Sequence, residues 1–170
     1  MPGAYQSAIN QTIHTAGAVA QEIAGAAPPV GGTQVMARSE GEKQTQALQA
    51  AQESLQKASG EQTEARGEVR SAMKAEKTAK EAMTLTPIST QAQLALQQAL
   101  TEKRNARVSA QNRLAELTSA AKKSAGEYEK AIEAFKAGAK SPEAKALAEQ
   151  HEKAQREGAQ AVEKAGRRVR

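Results

Sequence analysis

The side chains best suited to acid–base or metal chemistry in this chain are two histidines and a set of glutamates. His14 and His151 are the only histidines, and they stand far apart in the sequence. The chain has no Cys and no Asp, which excludes thiolate nucleophiles, disulfides and cysteine-based metal sites. Glutamate pairs such as Glu61 and Glu64 lack the apolar neighbours that would raise a carboxyl pKa for acid catalysis. We therefore predict no catalytic residue, no metal site, no cofactor and no enzymatic activity, with both histidines on helix surfaces.

A second kind of chemistry is phosphate binding by basic side chains. The formal net charge is +5, and the basic excess lies in the C-terminal half of the chain. Glutamates are interleaved with these cations and stacking aromatics are scarce, so any nucleic-acid binding is expected to be weak and without sequence preference. The candidate phosphate contacts are Arg104, Arg107, Arg113, Arg167, Arg168 and Arg170.

The elements that carry these residues are predicted to be helices. The 170 residues include 38 Ala and 19 Glu, a composition typical of long helices and coiled coils. With one Phe, two Tyr and no Trp, a core anchored by aromatic side chains is not expected. The predicted fold class is all-α: a long antiparallel helical hairpin, built as an Ala-rich coiled coil, with a charge-poor helix before it and a basic helix after it.

The hairpin is predicted over residues 39–136, turning near 84–90 at Pro87. Its first helix is expected to start near Ser39, where Ser39 and Glu42 match a capping box. From Leu48 onward, Ala recurs at every seventh position from Ala51 to Ala79, which indicates one close-packed face. Reflection about residues 86–87 places Gln62 level with Gln111 as a buried amide pair. The predicted packing seam is Leu48, Ala51, Leu55, Ala58, Ala65, Val69, Ala72, Ala79, Leu100, Leu114 and Leu117.

Residues 1–27 are predicted to form a helix that is poor in charge, followed by a Pro/Gly linker over 28–38. Glu22 is the single charged side chain of residues 1–37. Three isoleucines, Ile9, Ile13 and Ile23, share one helical face. This face suits packing against a neighbouring subunit, contact with a membrane, or packing on the same chain, and the sequence leaves these three interpretations open.

Residues 137–170 are predicted to form a C-terminal basic helix and tail. Ser141 is the expected N-cap, with Pro142 at the first helical position. The apolar face of this helix is thin, so the sequence leaves open whether it docks on the hairpin or stays solvated.

These features predict a non-enzymatic structural or assembly protein that acts through helix–helix association, with itself or within a larger assembly. In composition alone, the chain resembles accessory proteins of phage particles and secretion machines. One alternative is a nucleic-acid-associated protein that binds phosphates through its basic half. Another is a membrane-interacting translocator or ejection protein that uses residues 1–27. We expect no secretory signal and no membrane-spanning helix. Localisation is otherwise open, and a virion is one setting that the composition allows.

Overall fold

The computed structural model describes residues 33–85 and 89–169, with side chains from Glu40 onward. Within these ranges the chain forms three α-helices and no strand: α1, Thr33–Leu85; α2, Thr90–Gly138; and α3, Pro142–Gly166. The predicted all-α class is confirmed. The predicted N-terminal helix with Ile9, Ile13 and Ile23 lies outside the described residues, as does Arg170.

The helix boundaries follow the breakers in the sequence. α1 begins at Thr33, six residues before the predicted start near Ser39, because no Pro or Gly between Thr33 and Arg38 interrupts it. Residues 33–38 of the predicted linker therefore belong to α1, the rest of that linker lies outside the described residues, and Ser39 lies inside the helix. The predicted N-cap of α3 is confirmed, since the Ala144 amide donates a 3.1 Å hydrogen bond to Ser141 Oγ.

The described residues form two compact units, and each is described separately. Unit 1 comprises the described residues up to Lys57 together with Lys123–Gln160. Its core contains large side chains from all three helices, and Tyr128 and Phe135 are among its fully buried members. The expectation that the protein lacks an aromatic-anchored core is therefore wrong. Tyr128 and Phe135 lie seven residues apart on one face of α2, and together they are enough to anchor the core of this short segment. The other buried apolar residues of unit 1 are Leu48, Leu55, Ala125, Ile132, Ala144, Leu147 and Ala148.

The helices of unit 1 are held side by side by polar contacts as well. Ser54 Oγ of α1 lies 3.2 Å from Ser124 Oγ of α2. Gln155 Nε2 of α3 donates to the Ala125 carbonyl of α2 at 3.3 Å. α3 is therefore docked in unit 1, which resolves the alternative that the sequence left open.

Unit 2 comprises the described residues of Ala58–Lys122 and those from Ala161 onward. Its buried cluster is small: Ala65, Val69 and Leu114. Met73 and Leu117 pack against this cluster and are partly buried. The core of unit 2 therefore contains no aromatic side chain among its described residues.

The order of contacts shows that α1 and α2 run antiparallel within unit 2. Glu76 meets Arg107, and Glu68 meets Arg113. Gln62 meets Thr118, seven residues from the predicted partner Gln111, so the predicted pairing is wrong by one heptad. A seam of repeated alanines is nearly unchanged by a seven-residue slip, and the charged pairs distinguish the two registers.

The predicted seam residues divide into two groups by exposure. Those that are buried are Leu48, Leu55, Ala65, Val69 and Leu114. Those that are half-buried are Ala51, Ala58, Ala72, Ala79, Leu100 and Leu117.

Ala65 is the seam residue at which close packing of the helices can be tested most directly, because it is 1 % exposed in the small core of unit 2. Leucine at this position adds three carbons where no space is provided, and we expect Ala65→Leu to lower the free energy of unfolding by ~1–3 kcal/mol. Urea denaturation followed by circular dichroism measures the change.

The matched control is Ala120→Leu, because Ala120 is exposed on α2. We expect this variant to stay within ~0.5 kcal/mol of the unsubstituted protein. An Ala65→Leu variant that is as stable as the control would show that the helices are not closely packed at Ala65.

Candidate functional site

Unit 2 contains a buried amide that connects all three helices. Gln62 of α1 is fully buried, and its Nε2 donates to Thr118 Oγ1 of α2 at 2.9 Å and to the Val162 carbonyl of α3 at 2.8 Å. A Cβ on Gly166 would lie 2.6 Å from Thr118 Cγ2, so only glycine allows this close approach at the end of α3. The amide oxygen of Gln62 has no hydrogen-bond partner, which is a cost of placing an amide here.

The C-terminus of α3 is capped by an arginine from α1. Arg66 Nη1 donates to the carbonyls of Lys164 and Ala165 at 2.5 and 2.7 Å. These carbonyls carry the negative end of the helix dipole, so a guanidinium stabilises them. The contact satisfies carbonyls of the last turn of α3, which have no partner within the helix.

Beyond the end of α3, unit 2 has an open cleft of about 850 Å³ between α1, α2 and the C-terminal tail. Its apolar lining comes from α1, α2 and Val169 of the tail. Two arginines, Arg107 and Arg168, also line it. We call this space the unit 2 cleft; its apolar lining residues include Val69, Met73, Leu114 and Val169.

Next to this cleft, one carboxylate is shared by three cations. Glu76 accepts a hydrogen bond from Arg107 Nε, and its Oε1 lies 3.2 Å from Lys80 Nζ and 3.7 Å from Arg104 Nε. The Arg107 hydrogen bond is the main cause that lowers the pKa of Glu76 below its ordinary value, with Lys80 adding to it. We call these four residues the Glu76 cluster. Its cations outnumber its carboxylate three to one.

Most of the arginines predicted to contact phosphates lie beside glutamates. Arg104 and Arg107 belong to the Glu76 cluster, and Arg113 Nη1 lies 3.1 Å from both carboxylate oxygens of Glu68. Arg167 pairs with Glu163 at 3.4 Å, whereas Arg168 lines the unit 2 cleft. Four of the six arginines are therefore already paired with glutamates, which leaves less of their charge for phosphates.

A second surface of unit 2 is an uncharged stripe on α2, which meets the unit 2 cleft at Ala115. Its positions alternate in steps of four and three residues, so they lie on one helical face, and all are exposed. Leu94 and Val108 on this face are 59 % and 43 % exposed. We call it the α2 stripe: Leu94, Gln98, Thr101, Asn105, Val108, Asn112, Ala115 and Ser119.

In unit 1 the structure places His151 differently from the sequence prediction. We expected a surface histidine, but His151 is 1 % exposed and its Nδ1 lies 2.5 Å from the Tyr128 hydroxyl. The rings meet edge to face with centroids 5.8 Å apart. Burial lowers the pKa of His151 to about 4. The neutral ring therefore acts as a core side chain with one polar contact.

Sequence reasoning missed Arg66 and the role of Glu76. Glu76 had a detectable signal, since it occupies the same heptad position as Leu48, Leu55 and Val69, where a charged residue needs a partner. Arg66 carries no such signal, because its partners are backbone carbonyls far along the chain.

The buried histidine makes stability depend on pH. An unfolded histidine has a pKa near 6.5, whereas folded His151 stays neutral down to about 4. Acidification from pH 7 to pH 5 therefore protonates the unfolded state only, and we expect the free energy of unfolding to fall by about 2 kcal/mol. Urea titrations at the two pH values measure it.

The control is His151→Gln, which retains His14 but should lose most of this pH dependence. The lowered pKa values of Glu76 and Glu152 change the free energy of unfolding mainly at lower pH, since the ordinary pKa of a glutamate is 4.5. Equal stability of the unsubstituted protein at pH 7 and pH 5 would contradict a buried neutral histidine.

In the described ranges, no group of three His or Glu side chains is placed to hold a metal ion, and no helix there combines the length and apolarity needed to cross a membrane. Unit 2 has three surface features: an apolar cleft, a cation-rich cluster and an uncharged stripe. Comparison with protein-family models, with curated proteins and with solved structures gives no match to this chain.

Proposed function

We propose that this protein is a non-enzymatic assembly protein that acts by helix–helix association, first with copies of itself. Its framework in this proposal is an Ala-rich antiparallel coiled coil formed by α1 and α2. The observation that carries the proposal is the location of uncovered apolar side chains. Among the described residues, the three large hydrophobic side chains that are exposed, Leu85, Leu94 and Val108, all belong to unit 2.

The α2 stripe has the pattern of a helix-pairing face. Leu94, Thr101, Val108 and Ala115 recur every seven residues, which corresponds to one core position of a heptad. The alternate core position is held by Gln98, Asn105, Asn112 and Ser119. Amides at such positions specify register and oligomeric state at a cost in stability, so the association we propose is selective and modest in strength.

The stripe is also compatible with an identical partner. None of its eight side chains is charged, so two copies can face each other without like-charge repulsion. Amide and hydroxyl groups both donate and accept, so they can pair with the same groups of a second copy. The proposal therefore names a second copy as the first partner.

The setting we propose is a larger particle, such as a phage particle or a secretion machine. Composition supports it: the chain combines alanine-rich helices without cysteine and a charge-poor N-terminal segment. The nucleic-acid alternative is supported less, because Arg104, Arg107 and Arg113 each lie beside a glutamate. The membrane alternative depends on residues 1–27, which lie outside the described residues.

The experiment that tests self-association is sedimentation equilibrium over a range of concentrations. We expect the mass to rise from that of the 17.9 kDa chain toward twice that value. Val108→Glu places a charge in the proposed seam, and we expect it to weaken the association at least about tenfold, the equivalent of ~1.4 kcal/mol.

The matched control is Ala106→Glu, which adds the same charge two residues away on another exposed face of α2. We expect its dissociation constant to stay within about twofold of the unsubstituted value. A single-chain mass at every concentration, or equal effects of the two variants, would contradict association through the α2 stripe.

A further inference from the structure

The unit 2 cleft occupies the position that a third helix would take next to α1 and α2. Just before the cleft, α3 lies against both helices, with the Val162 carbonyl bonded to Gln62 of α1 and Gly166 against Thr118 of α2. α3 then ends at Gly166, and the same two helices continue as the walls of the cleft. A groove with two helical walls and an apolar floor accommodates a helix at ordinary packing distance.

The charges around this groove indicate which charge a partner must carry. Residues 69–85 of α1 carry four Lys or Arg and two Glu side chains, and residues 96–118 of α2 carry the same numbers. Three of these cations, Lys80, Arg104 and Arg107, belong to the Glu76 cluster beside the groove, and Arg168 of the tail lines it. A carboxylate-rich ligand complements this field, and burial of the apolar floor supplies affinity.

We propose that the unit 2 cleft binds an acidic amphipathic helix of a partner protein. Its apolar face packs on Val69, Met73 and Leu114, and its glutamates or aspartates face Arg168 and the Glu76 cluster. This is helix-in-groove recognition, in which apolar side chains anchor the helix and flanking charges select it. The cleft and the α2 stripe meet at Ala115, but the residues changed to test the two proposals are different: Val108 for self-association and Arg168 for the cleft.

Charge favours this partner over two other candidate occupants, a second copy of the chain and residues 1–37 of the same chain. The same face of a second copy would bring like charges together, since the charged lining residues, Arg107 and Arg168, are both cations and residues 69–85 and 96–118 are each net positive. Residues 1–37 contain only one carboxylate, Glu22, against at least four cations around the groove. An external helix with several carboxylates fits the field better than either.

The probe is a pair of fluorescent 18-residue peptides that share one leucine face and differ on the other, which is all Glu or all Lys. Anisotropy titrations against the full chain measure binding. We expect the Glu peptide to bind at least about tenfold more tightly than the Lys peptide, with an affinity that falls as salt rises.

Two neighbouring arginines provide the matched variants. Arg168→Glu reverses a charge that lines the cleft, and we expect it to weaken binding of the Glu peptide about tenfold. Arg167→Glu makes the same change at a residue that pairs with Glu163, and we expect an effect within about twofold. Circular dichroism of both variants checks that the helices remain formed.

Three results would overturn the proposal. The first is equal binding of the two peptides, which would leave only an apolar surface. The second is equal loss in the two arginine variants. The third is binding of neither peptide; a change of molecular mass on Arg168→Glu would in that case identify a second copy as the occupant. Loss of self-association in Val108→Glu leaves the peptide result unaffected, so the two proposals fail separately.

Discussion

A shortage of apolar side-chain volume is the constraint on which this structure depends. Helices lined by alanine can approach closely, but each methyl group removes little apolar surface from water, so long stretches of such a seam stabilise weakly. Unit 1 has large apolar side chains in its core, among them Tyr128, Phe135 and Leu147, which are fully buried. The buried apolar side chains described in unit 2 are Ala65, Val69, Leu114, Ala121 and Val162, none of them aromatic, and its other described apolar residues are partly covered or exposed.

Polar side chains then occupy positions that larger apolar residues hold in other helical proteins. Gln62 contacts two other helices through one amide, and Glu76 lies beside three cations at a buried position of α1. Such groups give little net stability, because desolvation offsets much of each contact. They do determine which residues can face each other, and this specificity is what a repetitive seam lacks. The same shortage leaves unit 2 with uncovered surface, which is the basis of both proposals.

Local sequence patterns predicted the described helices and the N-terminus of α3, but they did not predict the contacts between distant segments. Ser141 before Pro142 specified the start of α3, because an N-cap depends on residues three positions apart. The pairing of Gln62 with Gln111 was wrong, since the seam repeats every heptad and the choice depends on Glu76 with Arg107 and Glu68 with Arg113. His151 was assigned to the surface because its burial depends on Tyr128, 23 residues away on another helix.

If the supply of apolar side-chain volume sets local stability, unit 2 opens more readily than unit 1. Native-state hydrogen exchange, at a concentration where the chain is monomeric, measures this for each backbone amide. The account predicts that amides of residues 44–57 and 124–136 have opening free energies about 2 kcal/mol or more above those of residues 69–85 and 96–114. Equal protection in the two sets, or greater protection in unit 2, would contradict it.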